Sequence, residues 1–168
     1  FSLTELDGLP GDYLRGHPPG TNGLVKVTTD YPDLLPFMTY ARSSRAREQL
    51  WRQNRQRGFP KNEGVLKRLV EKRSELARQL GYPSWAAYVT EDKMIGSAER
   101  ADAFIQQIVE ASARRCDKDY RLLLEQKRQT EPEAAKVNPW DQAHLEDRYR
   151  AEHLSFDSQS VRPYFEYG

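Results

Sequence analysis

The feature that most constrains the fold is a helical period running through the middle of the chain. After Gly96-Ser97, Ala101, Phe104, Ile105, Ile108, Val109, Cys116, Tyr120 and Leu123 recur at three- and four-residue spacing, which predicts a long amphipathic helix to about Thr130. A second stripe, Val65, Leu66, Leu69, Val70, Leu76, Ala77 and Leu80, predicts another helix, with Asn62 as N-cap and Gly81 as C-terminal stop. Both stripes are expected to be buried. Cys116, on the apolar face, is expected to be packed and chemically inert.

The flanks complete the outline. Residues Phe1 to Asp30 are dense in Gly and Pro and predict turns and a short helix. Leu24-Val25-Lys26-Val27-Thr28-Thr29 is the one strand candidate, and it needs a partner near Asp12 to Leu14 or outside this sequence. Helical spacing resumes after Pro32 through Leu34, Leu35, Phe37, Met38, Tyr40 and Ala41, with Pro36 expected in an opening turn. Ser84 caps a short helix carrying Trp85 and Tyr88. Asn138 as cap and Pro139 at the first position predict a helix from Trp140 to Glu152, and Asp157 caps a last turn near Tyr164. The expected architecture is mainly α, a multi-helical, bundle-like scaffold with a short β element near its N-terminus. The chain divides as one helical segment, 1–168: a turn-rich 1–30, helices over 31–130, a linker at 131–138, and helices over 139–165.

Composition narrows the classes. With 38% hydrophobic and 30% charged residues, the 168-residue chain is polar for a self-sufficient globule, and its aromatic content is too high for disorder. A helical segment of a larger protein fits better. A net charge of +1, from 26 basic and 25 acidic residues, gives no global field favouring nucleic acid or an anionic membrane. The single cysteine forbids an intramolecular disulfide and suits a reducing compartment, so a cytoplasmic setting is expected, with secreted or periplasmic origin left open. No apolar run approaches the roughly 20 residues that span a bilayer. Phe1 in place of an initiating Met suits a cut or processed terminus.

Chemistry-bearing patterns are sparse. His144 and His153 are nine positions apart, which at about 100° per residue puts them on opposite sides of one helix, and His17 precedes Pro18 in a turn. None is expected to ligate a metal. Glu71, Glu75, Glu146, Asp147 and Glu152 read as solvated acids or helical partners of Lys and Arg. No Gly-rich phosphate loop and no His-Glu-x-x-His pair occurs. Catalytic and metal residues are therefore both expected to be none. The strongest charge anomaly is Arg42 to Arg57, with Arg42, Arg45, Arg47, Arg52, Arg55 and Arg57 against Glu48 alone, and Trp51 among them. These arginines fall at varied angles, so some are expected to face other helices and pair with carboxylates rather than track phosphates.

Several motifs recur together in one order: Glu5-Leu6-Asp7-Gly8-Leu9-Pro10, Tyr31-Pro32-Asp33, Pro36-Phe37-Met38-Thr39-Tyr40-Ala41, Arg47 with Leu50-Trp51, Leu80-Gly81-Tyr82, Trp140-Asp141, and Arg162-Pro163-Tyr164-Phe165. In this order and spacing the chain resembles the thimet-type zinc oligopeptidases along nearly its whole length. The resemblance implies a segment upstream of that family's zinc motif: helical scaffold forming one wall of a deep channel that admits short unstructured peptides. The zinc pair, the third ligand and the substrate-orienting residues of such enzymes come later than Gly168. Zinc is thus implied for a full-length parent and not for this chain, which is expected to be inactive alone. Ala143-His144-Leu145 departs from the family, which often carries a paired-tyrosine stretch there.

Trp140, Leu154, Phe156, Tyr164, Phe165 and Tyr167 crowd the last thirty residues without sequence left to cover them. Such clusters mark interfaces. Trp140, Phe156, Tyr164, Phe165 and Tyr167 are the expected interface residues, against a missing catalytic region of the same polypeptide or a second copy in a homo-oligomer. The alternative is a stand-alone helical interaction module that binds a protein through this cluster or through the Arg42 to Arg57 helix. Neither reading calls for nucleic acid or membrane.

Overall fold

A computed structural model of the chain describes residues 1–161 and 164. It is mainly helical: a 3-10 turn at Leu3–Leu6, then α1 (Gly11–Gly16), α2 (Tyr31–Tyr40), α3 (Ser44–Arg55), α4 (Glu63–Gln79), α5 (Trp85–Thr90), α6 (Ala98–Arg128) and α7 (Gln142–Leu154). Two compact units result, one of Phe1–Arg55 with Asp119–Gly168, the other of Gln56–Lys118.

The first unit has a defined core. Leu6, Leu9, Tyr13, Val25, Leu34, Phe37, Met38, Ala41, Ala46 and Leu50 form one buried cluster, with Trp51, Trp140 and Ala143 packed against it. Helix α2 lies against both α3 and α7. The run Glu5 to Pro10 hooks onto this core by its backbone. Glu5 accepts from the Ser2 N–H at 2.8 Å, and the Asp7 carbonyl accepts from the Arg42 N–H at 2.9 Å. Gly8 sits at φ +93°, and a Cβ there would lie 2.4 Å from the Tyr40 carbonyl oxygen, so only glycine fits between the two segments.

The expected β element is absent: no strand occurs among the described residues. Leu24 to Thr29 is extended, but its backbone is satisfied piecemeal. Val25 exchanges two hydrogen bonds with Phe1, at 2.8 and 2.9 Å, the Leu24 carbonyl accepts from Gly20, and the Thr28 N–H donates to the Asp33 carboxylate. Asp12 to Leu14, the considered pairing partner, lies in α1. One rung does not make a ladder.

Helix boundaries differ at two other places. With Asp30 as N-cap and Pro32 in the first turn, α2 starts early enough to place Pro36 inside the helix rather than in an opening turn. Helix α7 begins at Gln142, because Asn138 to Asp141 close a turn of their own through the Asp141 N–H on the Asn138 carbonyl. Asn138 opens that turn instead of capping the helix. The Asp157 turn is present, its side chain accepting from the Gln159 N–H at 2.8 Å.

In the second unit, α4 packs on α5. Its end at Gly81 is as the sequence predicts: Gly81 has φ +85°, and the Gly81 and Tyr82 N–H groups reach back to Arg78 and Ala77, a Schellman closure. Asn62 holds the N-cap position, without a side-chain cap bond. The Ser84 hydroxyl caps α5 through the Ala87 N–H, and the Arg73 guanidinium lies 5.4 Å over the Trp85 ring. The predicted burial fails here. Ala77 is buried, but Val65, Leu66, Leu69, Val70, Leu76 and Leu80 are exposed, as are Phe104, Ile105, Ile108, Val109 and Tyr120 of α6. Cys116 is exposed too, which removes the reason given for its inertness. Periodicity specifies an apolar face without specifying what covers it.

Candidate functional site

The polar centre of the first unit is an ionic cluster built by residues far apart in sequence. Arg47, in α3, donates from Nη2 to Asp141 Oδ1 at 2.9 Å, and Lys127, near the end of α6, donates from Nζ to Asp141 Oδ2 at 2.7 Å. The Ser44 hydroxyl and the Asn138 side-chain and backbone N–H groups fill the remaining acceptor positions on Asp141. Asp141 is the N-cap of α7, yet its carboxylate makes no cap bond because these donors claim it.

Arg47 also ties backbone. Its Nη1 donates to the carbonyls of Ala41 at 2.6 Å and Arg42 at 3.1 Å, and its Nε donates to the Trp140 carbonyl at 3.0 Å. A planar guanidinium can serve these carbonyls and a carboxylate at once, and lysine could not. The side chains of Arg47, Lys127 and Asp141 are 4%, 6% and 1% exposed. Burial alone would raise the Asp141 pKa, but the hydrogen bonds from Lys127, Arg47 and Ser44 override it and bring it down to about 2.

A cavity of about 720 Å³ opens over this cluster, walled also by Arg42, Thr39, Glu131, His144, Asp147 and Arg148. His144 shares Nδ1 with the Thr39 carbonyl at 2.9 Å; burial first, and the Arg47 charge second, lower its pKa below the usual histidine value. His17 is engaged elsewhere. Its Nδ1 meets the Tyr13 carbonyl at 2.8 Å, its Nε2 the Asp33 carboxylate at 3.0 Å, and its ring stacks on Tyr13. Asp33 takes two further bonds from Thr28, which together with His17 outweigh burial and lower its pKa.

Four arginines of the basic segment are engaged locally, in line with their angular spread. Besides Arg47, Arg42 pairs with Asp7, Arg52 pairs with Glu48 and lies 5.5 Å over the Trp140 ring, and Arg55 lies 5.6 Å over Trp51. Of the expected interface residues, Trp140 is half-buried against Trp51, with ring centroids 5.7 Å apart, and Phe156 and Tyr164 are exposed. Phe165 and Tyr167 lie outside the described residues.

Sequence reasoning singled out Arg47 and Trp140-Asp141 but did not join them. Lys127 and Ser44 carried no signal, since a lysine on a helix and a serine at a helix start are ordinary in isolation.

Residues 37–168 match the model of peptidase family M3. The chain belongs to peptidase family M3. Its M3 relatives include saccharolysin of Saccharomyces cerevisiae, 27% identical over 98% of this chain and 25% of that protein. The probable cytosolic oligopeptidase A of Arabidopsis thaliana is 28% identical over 96% of the chain and 25% of its own length. Oligopeptidase PhomG of Diaporthe leptostromiformis is 31% identical over 99% and 24%. The chain thus spans about a quarter of the length of these relatives.

The M3 family is zinc-dependent in general. Among the described residues, no group of three or more His, Cys, Asp or Glu side chains converges to hold a metal. His17 and His144 are committed to backbone carbonyls, and Asp141 to two cations. The described residues do not fit a zinc site. No helix among the described residues is long and apolar enough to cross a membrane.

Proposed function

We propose that this chain is a non-catalytic helical portion of a zinc-dependent metalloendopeptidase of family M3 that acts on short peptides, serving as part of the wall of its substrate channel. The observation that carries the reading is the match of residues 37–168 to the family in a chain that spans about a quarter of the length of its relatives. Zinc chemistry then belongs to another part of the polypeptide. The exposed apolar faces of α4 and α6 support the same reading, since Leu66, Phe104, Ile105 and Ile108 are large side chains that a longer polypeptide would cover. The aromatic residues Trp140, Phe156 and Tyr164, with Phe165 and Tyr167, are proposed as a further contact with that catalytic region or with a second copy.

The test is direct. The purified chain, incubated with zinc and a quenched fluorescent peptide at stoichiometric concentration, is expected to give no turnover that a chelator abolishes. Chelator-sensitive turnover would overturn the reading.

A further inference from the structure

Helix α4 leaves an apolar stripe uncovered. Val65, Leu66, Leu69 and Val70 recur at the spacing of one helical face and are all exposed, over the first half of the helix. The second half is different. There Ala77 is buried and the Arg73 guanidinium lies over the Trp85 ring, so α5 stands as a shoulder against that end of the stripe.

Charge on α4 is sorted about the stripe. The helix carries five basic residues against three acids. At about 100° per residue, Arg68 and Lys72 border the stripe on one side and Lys67 and Arg78 on the other, while Glu71 and Glu75 fall on the opposite face. Glu63, in the first turn, is the one acid at a border. Lys72 is held by Glu75 at 2.7 Å, and Arg78 turns back to the Ser74 hydroxyl at 3.1 Å. Lys67 and Arg68 are exposed and, among the described residues, have no hydrogen-bond or ion-pair partner. One uncommitted cation therefore stands on each side of the exposed stripe.

We propose that Val65, Leu66, Leu69 and Val70 form the docking face for an amphipathic helix with acidic borders, whose carboxylates pair with Lys67 and Arg68. Burial of the apolar side chains supplies affinity, and the two cations select the sign of the partner and its register. A helix can lie in the step that α5 makes beside the stripe, whereas a flat bilayer surface would meet α5 first. A second copy docked α4 on α4 would set Lys67 and Arg68 against their own kind. The inference rests on the scaffold reading for the source of the helix, the polypeptide beyond this chain, and adds its chemistry.

The probe is a labelled synthetic peptide of about 18 residues, five helical turns, with leucine on one face and glutamate on both borders; a second peptide carries lysine in place of glutamate. Fluorescence anisotropy against the 168-residue chain is expected to show saturable binding of the glutamate peptide, weakened by salt, and binding of the lysine peptide about tenfold weaker or more. Lys67→Glu combined with Arg68→Glu, checked for fold by circular dichroism, is expected to reverse that preference, and Leu66→Asn to weaken both peptides. No binding of the glutamate peptide, equal binding of the two peptides, or an unchanged preference in the folded charge-reversed chain overturns the proposal. If that variant does not fold, the two peptides on the unaltered chain and on Leu66→Asn decide. Two other occupants are read in parallel: binding to phosphatidylserine vesicles without peptide binding assigns the face to a bilayer, and a dimer in sedimentation that Leu66→Asn breaks assigns it to a second copy. Either result overturns the proposal. None of these readouts involves zinc or cleavage, so a failed docking leaves the scaffold reading standing, and chelator-sensitive turnover by the chain overturns that reading without touching the chemistry of the face.

Discussion

Arg47 and Asp141, ninety-four positions apart, meet at 2.9 Å in the interior of the first unit. The contact joins the start of α3 to the start of α7, and Arg47 carries three backbone carbonyls with it. Without Arg47 the Asp141 carboxylate keeps Lys127, but the carbonyls of Ala41, Arg42 and Trp140 lose their donor, and each buried acceptor left unpaired costs about 1–3 kcal/mol. Arg47→Met is therefore expected to destabilise the chain by roughly 3–5 kcal/mol, measured from the urea midpoint. Arg52→Met, which breaks the exposed pair with Glu48, should cost no more than about 0.5 kcal/mol. Similar losses for the two variants would contradict the assignment of Arg47 as a tie between helices.

The same cluster sets a pH dependence. The Asp141 carboxyl titrates at about 2 in the folded chain, below the ordinary 3.8. A group with a depressed folded pKa binds its proton more readily when unfolded, so its stabilisation is full above pH 3.8 and is lost as pH falls toward 2. Asp33, also lowered, adds to the loss in the same direction. Urea midpoints are expected to fall steeply over that acid window. In Asp141→Asn the fall should be shallower, on a lower baseline.

Gly8 makes a third case. Gly8→Ala places a Cβ against the Tyr40 carbonyl at a positive φ, and should cost on the order of 1–3 kcal/mol. Gly64 in α4 has nothing within 4 Å of a Cβ, so Gly64→Ala should stabilise by about 0.5–1 kcal/mol. Thermal melts of the two variants should move in opposite directions.

Much of the helix pattern was legible because it is local. The Gly81 stop, the Ser84 cap and the amphipathic stripes of α4 and α6 each follow from residues within a turn or two of one another. What those stripes pack against was not legible, and Phe104, Ile108 and Cys116 are exposed against expectation. Leu24 to Thr29 has strand composition, but a strand depends on a partner, and Phe1 offers it a single rung. The site was half legible. Arg47 and Asp141 stood in motifs, but Lys127 joins them only through tertiary packing, which no spacing in the sequence encodes.

The exposed face of α6 gives a prediction that separates this chain from a longer one. Ile108→Lys is expected to change the stability of the 168-residue chain by no more than about 0.5 kcal/mol, since Ile108 is already 53% exposed. In a polypeptide of the relatives' full length, where that face is proposed to be covered, it should cost several times more. Denaturant titrations of both proteins make the comparison.

The central claim, that this chain is channel scaffold for zinc chemistry housed elsewhere, is tested most directly by exchange. Saccharolysin in which the aligned stretch is replaced by this chain is expected to cleave a quenched fluorescent peptide, and to stop when zinc is chelated. A folded, zinc-loaded chimera with no cleavage would contradict the claim.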